Sequence, residues 1–471
     1  MNDAALLEET GPAGDRAGSA LARHALLAVV AGGLLDVGIR GGPANAVVAA
    51  GIVVTVAALG ADGRLQQAEA RWLAGAAVVP AAFLAVRMSP WLVTSNVLAV
   101  AALLGTAIVF ARSGSVVDTT PLRLVHRAVP AVARAVRGLH VLAPLLPRLD
   151  GGPGGRVARA GLGAALAVPV LAVVAALLAA ADPVFASIVV PDADPRGALG
   201  HVLLASTFAV VVVAAAAAAF GDADDRGPRG TLGVVEIATM LALAAAVVGL
   251  FVVSQLVALT GAGRRLVESS GLTPAEYARS GFFQLCWATA ILVGFLGAVR
   301  SLGAPPVMTV RGVRMLAGAV PLLALGLVVV SLRRMALYDQ AFGLTMLRVW
   351  VVGAAVWMGV VLVMMAVRSL GMGSERTWVT AAAGGVALAL LMVANVVNVE
   401  GFVVRHNVDR ATGGAELDLE YLHGLSDDAV PALGEAGLVA ALRCGDDAEG
   451  VAALNAAALQ AAAVRRQFCP K

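Results

Sequence analysis

Apolar residues fall in long, nearly unbroken blocks at about 24–39, 43–60, 72–88, 91–111, 160–181, 199–220, 232–260, 280–300, 313–332, 345–367 and 378–398, with short polar stretches between them. Bilayer hydrocarbon is about 30 Å thick, so one spanning helix needs roughly 17–25 mostly apolar residues. The blocks therefore predict an all-α, polytopic integral membrane protein with about 11 transmembrane helices. The first two are short and Gly-rich, which suits a tight hairpin, or a re-entrant pair where protein covers the backbone. The seventh is long enough to tilt.

The pattern divides the chain into five segments. Residues 1–23 form a disordered N-terminal tail, 24–111 a first transmembrane group of about 4 spans, and 112–159 a basic segment. Residues 160–398 form a second group of about 7 spans, and 399–471 a polar helical tail. Within the basic segment, Arg123, Arg127, Arg134 and Arg137 recur at helical spacing opposite Val125, Ala128, Val132, Val136 and Leu139. This is a basic amphipathic helix, kinked at Pro130. It suits the interface of an anionic cytoplasmic leaflet. It equally suits a surface helix packed on neighbouring spans.

Composition reinforces the membrane reading. Hydrophobic residues are 59% and charged residues 14% of the chain, against about 25% charged in a soluble domain. A soluble protein of this length lacks the polar coat to hide so much apolar surface. The net charge of +3 is too small to suggest nucleic acid as a partner. Lys occurs only at Lys471, and with the Ala, Val and Gly excess this suggests a GC-rich bacterial source. Asp3, Glu8, Glu9 and Asp15 make an acidic start, unlike the basic start of a secretory signal peptide.

Basic residues in the loops set orientation. With a cytoplasmic N-terminus, inside segments hold 19 of the 34, outside loops 9 and the tail 6, and eight of the 19 sit in 112–159. The expected location is the bacterial cytoplasmic (inner) membrane, with the C-terminal tail extracytoplasmic. Cys444 and Cys469 both lie in that tail. On the outer side they are a candidate disulfide; the other reading is two unrelated thiols.

Three polar stretches at span ends are candidates for chemistry. In the first, Thr273 and Glu276 match a capping box with Pro274 at the first helical position, followed by Tyr277 and Arg279. In the second, Gly343-Leu344-Thr345 echoes Gly271-Leu272-Thr273, and Thr345 can cap the next span. Arg348 then falls about one turn into the apolar helix, where a guanidinium needs a partner or an escape to the interface. Tyr338, Asp339 and Glu276 are candidate partners. The third stretch holds Asn395 and Asn398 about one turn apart, then Glu400, Arg405, His406, Asn407, Asp409 and Arg410. Amides there can bridge helices. The plainer readings are a helix start, a structural ion pair and a hinge to the tail. On the span count all three stretches face outward and can line one vestibule. Asp36, Glu236, Gln255 and Gln284 lie in or near spans, where ionisable groups are functional candidates. Ser426, Asp427 and Asp428 ahead of Ala429 look like another helix start.

No phosphate loop with Lys, no His-Glu-x-x-His helix and no Gly-x-Ser-x-Gly elbow occurs. The six His are scattered. No catalytic residue, metal ligand or cofactor is assigned.

Leu337-Tyr338, Phe342-Gly343-Leu344-Thr345 and Leu347-Arg348 resemble the signature of a bacterial membrane family catalogued as domain of unknown function 4173. So do Thr273 to Arg279 with Gly281-Phe282-Phe283, and Leu417-Asp418-Leu419 with Leu425-Ser426 and Asp428 to Leu433. The resemblance covers about residues 160–435. Phe342 stands where a second Tyr is expected, so a role needing that hydroxyl does not carry over. The resemblance implies a polytopic bacterial membrane protein and no established activity. Whether the protein is an enzyme is left open. The leading expectation is a sensing, scaffold or transport component that partners with the bilayer and with an envelope or membrane protein. The alternative is a membrane-embedded enzyme acting on a lipid-linked or envelope substrate.

Overall fold

The computed structural model describes residues 42–61, 65, 67–110, 115–117, 232–258, 274–371 and 378–469, with scattered positions between 30 and 39 and between 156 and 185. The basic segment with Arg123, Arg127, Arg134 and Arg137, the apolar run at 199–220 and Thr273 lie outside these residues. Among the described residues the helices are α1 (Ala46–Ala61), α2 (Ala68–Ala76), α3 (Val78–Phe83), α4 (Pro90–Val109), α5 (Val234–Ala258), α6 (Pro274–Leu302) and α7 (Arg311–Phe342). They continue as α8 (Met346–Ser369), α9 (Val379–Val397), α10 (Val399–Thr412), α11 (Leu419–His423), α12 (Val430–Glu435) and α13 (Ala456–Phe468). No strand is present among these residues; Leu232 and Gly303 form an isolated bridge.

Six of these helices, α4 to α9, are long and apolar enough to cross a membrane. Large apolar side chains on them point away from the protein, including Val396 (70% exposed), Trp287 (66%) and Val329 (64%). A helix apolar on its outer face as well as its inner one suits lipid. The apolar run at 72–88 is carried by two short helices instead of one continuous one. It divides at Ala77 into α2 and α3, of 9 and 6 residues. Pro80 has no N–H to continue the ladder.

The chain folds as two compact units. One comprises residues 117–343 and 347–386. In it, α7 packs against both α5 and α6. The core is built from Leu241, Ala244, Val248 and Phe251 of α5, Leu285, Ala288 and Leu292 of α6, and Val320, Ala324 and Leu327 of α7. Their spacing of three and four residues puts each set on one helix face. Lipid tails are as apolar as leucine, so close packing at small residues carries helix association. Gly326 is such a position: a Cβ there would meet Val252 at 2.9 Å. Gly318 likewise brings the start of α7 against Leu370 at the end of α8. Trp357 of α8 donates to the Ala383 carbonyl of α9 at 2.9 Å.

The other unit comprises residues 1–116, 344–346 and 387–471. Its C-terminal part has its own apolar cluster of Val404, Leu422, Val430, Leu433, Leu442 and Ala461. A Cys444–Cys469 disulfide closes it. Arg465, 4% exposed, donates to Asp427 at 2.5 Å and to Asp447 at 3.2 Å. The start of α13 docks on the turn after α3. Asn455, 1% exposed, shares its Nδ2 hydrogens among the carbonyls of Ala44, Leu84 and Arg87. The Ala456 amide donates to Ala85 and the Ala457 amide to Val86. The carbonyls that a helix end leaves unpaired are thereby supplied from the other end of the chain.

Candidate functional site

The densest buried polar cluster that the described residues form lies in the second of these units and centres on Asp428. Ser426, Asp427 and Asp428 stand just ahead of a helix start, as the sequence suggested, with α12 opening at Val430. The cap position is Ala429, without a side-chain bond; Ser426 accepts locally from the Asp428 amide at 3.3 Å, and the carboxylates reach farther. Asp428 Oδ2 accepts from the main-chain amides of Met88 at 2.8 Å and Ser89 at 2.6 Å. Its Oδ1 faces Arg87 at 3.4 Å. Pro90 opens α4 immediately afterwards, so the carboxylate sits at the positive end of that helix, where negative charge is favoured.

Arg87 also donates through Nε to the Asn395 carbonyl at 2.7 Å and through Nη2 to the Val396 carbonyl at 3.3 Å. One guanidinium thus satisfies the last turn of α9 and pairs with Asp428. Asn395 is fully buried and exchanges amide bonds with Asn96 of α4 in both directions, at 2.8 and 3.0 Å. Its Nδ2 also donates to the Leu391 carbonyl. Asn398 separates α9 from α10 in a left-handed conformation, φ 56°, a geometry asparagine tolerates better than most residues. It caps α10 by accepting from Gly401 and donates to the Asp428 carbonyl at 2.7 Å.

Glu400, in the first turn of α10, accepts from both the amide and the hydroxyl of Ser426, at 2.8 and 2.7 Å. Burial pushes its carboxyl above the usual range, and the Ser426 and Ser89 bonds pull the other way, while the charge of Asp428 adds to the rise. Burial raises Asp428 too, against the Ser89 and Met88 amides and the Arg87 charge. Two buried carboxylates close enough to repel each other therefore share this joint.

The second stretch divides between the two units. In the helical unit that holds α5 to α7, Arg348 lies 4.2 Å from the centre of the Tyr338 ring and donates to the Phe342 and Gly343 carbonyls. Tyr338 packs on Phe342 at 4.9 Å. Asp339 is half-buried one turn from the end of α7, and its carbonyl accepts from Gly343. Gly343 ends α7 with φ 73° and ψ −178°, a backbone conformation open to glycine for want of a Cβ. In the unit around Asp428, Asn407 accepts from the Leu344 amide and donates to its carbonyl, both at 2.8 Å. Tyr421 accepts from Met346 at 2.7 Å. Thr345 is half-buried directly before α8. In the first stretch, α6 begins at Pro274, the expected first helical residue. The side chains of Glu276, Tyr277 and Arg279 lie outside the described set.

The structure thus gathers Asn395 and Asn398 and adds Arg87, Asn96, Ser426 and Asp428, which the sequence did not single out as a site. A signal existed for two of them. Asn96 is an amide inside an apolar run, and Arg87 a charge inside another. Polar groups so placed need partners.

A family model described as "Domain of unknown function (DUF4153)" matches residues 74–436. The chain belongs to that family. The match corrects the resemblance to family 4173: it is a different family, and it begins far upstream of residue 160. The motifs behind that resemblance include helix-terminus chemistry, a Pro start, a Gly end and an acidic cap, which different families share for the same physical reasons. No curated protein and no solved structure matches the chain. The Asp428 joint lies wholly inside the matched residues.

Proposed function

We infer that this DUF4153 member is a multi-pass bacterial membrane protein of the sensing or scaffold kind. Residues 399–469 then serve as a fixed platform on the extracytoplasmic side, with N-terminus and basic segment toward the cytoplasm. The observation carrying this reading is the internal commitment of the Asp428 joint. Its carboxylate is engaged by two amides and a guanidinium, and Glu400 by Ser426. A general acid or base needs a proton path to a substrate; groups spent on main-chain amides fit a weld instead. Arg348 is similarly spent on carbonyls and on the Tyr338 ring, which favours this reading over an anion-handling or catalytic vestibule.

The test is site-specific photo-crosslinking in cells from exposed platform positions, Glu420, Glu435 and Arg466. A platform gives a discrete adduct of the same mass from neighbouring positions, and Asp428→Ala abolishes it while the protein stays in the membrane. Absence of any discrete adduct from the whole exposed surface of residues 399–469 contradicts the reading.

A further inference from the structure

Arg300 ends α6, Arg368 and Ser369 end α8, and Arg314 lies one turn into α7. The hairpin from α6 into α7 and the packing of Gly318 on Leu370 bring these termini to one end of their unit. There Arg300 donates to the Ser369 hydroxyl at 3.2 Å. Arg368 sets a second positive charge against it. Arg314 lies over the end of α8, its Nη2 3.5 Å from where a Cβ on Gly371 would sit. Arg300 and Ser369 also line a cavity of about 20 Å³, together with Leu241, Leu296, Met308 and Met365. That volume holds one water or one oxygen of a larger group.

Helix dipoles account for a cation at each C-terminus. They do not account for the cavity at which the Arg300 guanidinium meets a hydroxyl. Guanidinium groups hold phosphate oxygens with directed, paired bonds. We propose that Arg300, Arg314 and Ser369 form a binding site for a phosphate group, with one oxygen seated in the cavity and the rest at its mouth. Basic pockets between helix ends on the cytoplasmic side are where anionic headgroups bind, and in the orientation inferred above this end faces the cytoplasm. The phosphate source is an anionic phospholipid or the free ion.

The test uses the full-length protein in nanodiscs of phosphatidylcholine alone, of phosphatidylcholine with phosphatidylglycerol, and of phosphatidylcholine with added inorganic phosphate. The readouts are thermal unfolding and native mass spectrometry of retained lipid. A melting shift with phosphatidylglycerol, and retained molecules of that lipid, identify a headgroup site; a shift with phosphate alone identifies a free-ion site. In either case Arg300→Gln with Arg314→Gln lowers the apparent affinity at least tenfold. Ser369→Ala, a milder change, lowers it less, and Arg466→Gln leaves it unchanged. No shift in any arm for the native protein overturns the proposal. So does an equal shift in the double variant and the native protein, which marks a diffuse surface-charge effect.

Discussion

Asn96 and Asn395 hold each other through two amide hydrogen bonds, of 2.8 and 3.0 Å, from the middle of one apolar helix to the end of another. Both are fully buried. In a surrounding without water, each amide has only the other and nearby carbonyls to satisfy it. The pair therefore fixes the register of α4 against the end of α9, where Arg87, Asn398 and Asp428 converge.

Asn395→Leu should destabilise by about 1–2 kcal/mol, because Asn96 is left buried with both of its side-chain bonds unmade. Adding Asn96→Leu should cost less than the sum of the two single changes, with a coupling near 1 kcal/mol. Denaturation of the four variants in detergent measures it; strict additivity shows that the amides do not interact.

Asp428→Ala should be among the most damaging single changes in residues 399–469, at roughly 3–5 kcal/mol. It strands two main-chain amides and takes the carboxylate from Arg87, whose side chain is 14% exposed. Asp446→Ala removes an ion pair with Arg443 whose side chains are 41% and 64% exposed, and it should change stability by less than about 0.5 kcal/mol. The same unfolding measurement separates them, and equal effects contradict the joint as the anchor.

Stability should depend on pH through Glu400 and Asp428. Both carboxyls are raised from ordinary values of 4.5 and 3.8, so the folded state takes up protons more readily than the unfolded one. Their contribution to stability is complete below those ordinary values and is lost as pH rises through the raised ones. Melting temperature should accordingly climb as pH is lowered from neutral toward 4.5. Glu400→Gln should flatten the climb, and a fall in melting temperature over that window in the native protein refutes it.

The disulfide joins residues 25 apart. Loop closure on that scale is worth about 3 kcal/mol, so Cys469→Ser should lower the unfolding free energy of residues 399–469 by about that amount. Protection of the α13 amides from hydrogen exchange reports it directly, and unchanged protection rules the crosslink out as a support.

Much of the fold could be read from the chain because hydrophobic length is a one-dimensional signal. The runs containing Val234, Phe282, Val313, Met346 and Val379 each emerge as one membrane-length helix. The run at 72–88 is less regular than its length suggests, dividing at Ala77 three residues ahead of Pro80. The joint was less legible. Asn395 and Asn398 were visible as amides at a span end, but their partners Asn96, Arg87 and Asp428 lie some 300 residues or 30 residues away. Ser426, Asp427 and Asp428 were legible as a helix start, which they precede, but local spacing is all a sequence displays. Their actual partners, Glu400, Arg465, Met88 and Ser89, come from three distant segments. The family named from the resemblance was a different one from the family that matches, since short terminal motifs report helix ends and do not separate one family from another.

The central claim is a membrane-spanning chain that holds a disulfide-closed platform on the extracytoplasmic side. Thiol labelling of Cys444 and Cys469 in intact cells with a membrane-impermeant reagent tests it most directly, with Cys286→Ser removing the remaining thiol. The account requires labelling that appears only after an impermeant reductant is added. Labelling that needs permeabilised cells places the platform in the cytoplasm and contradicts the account.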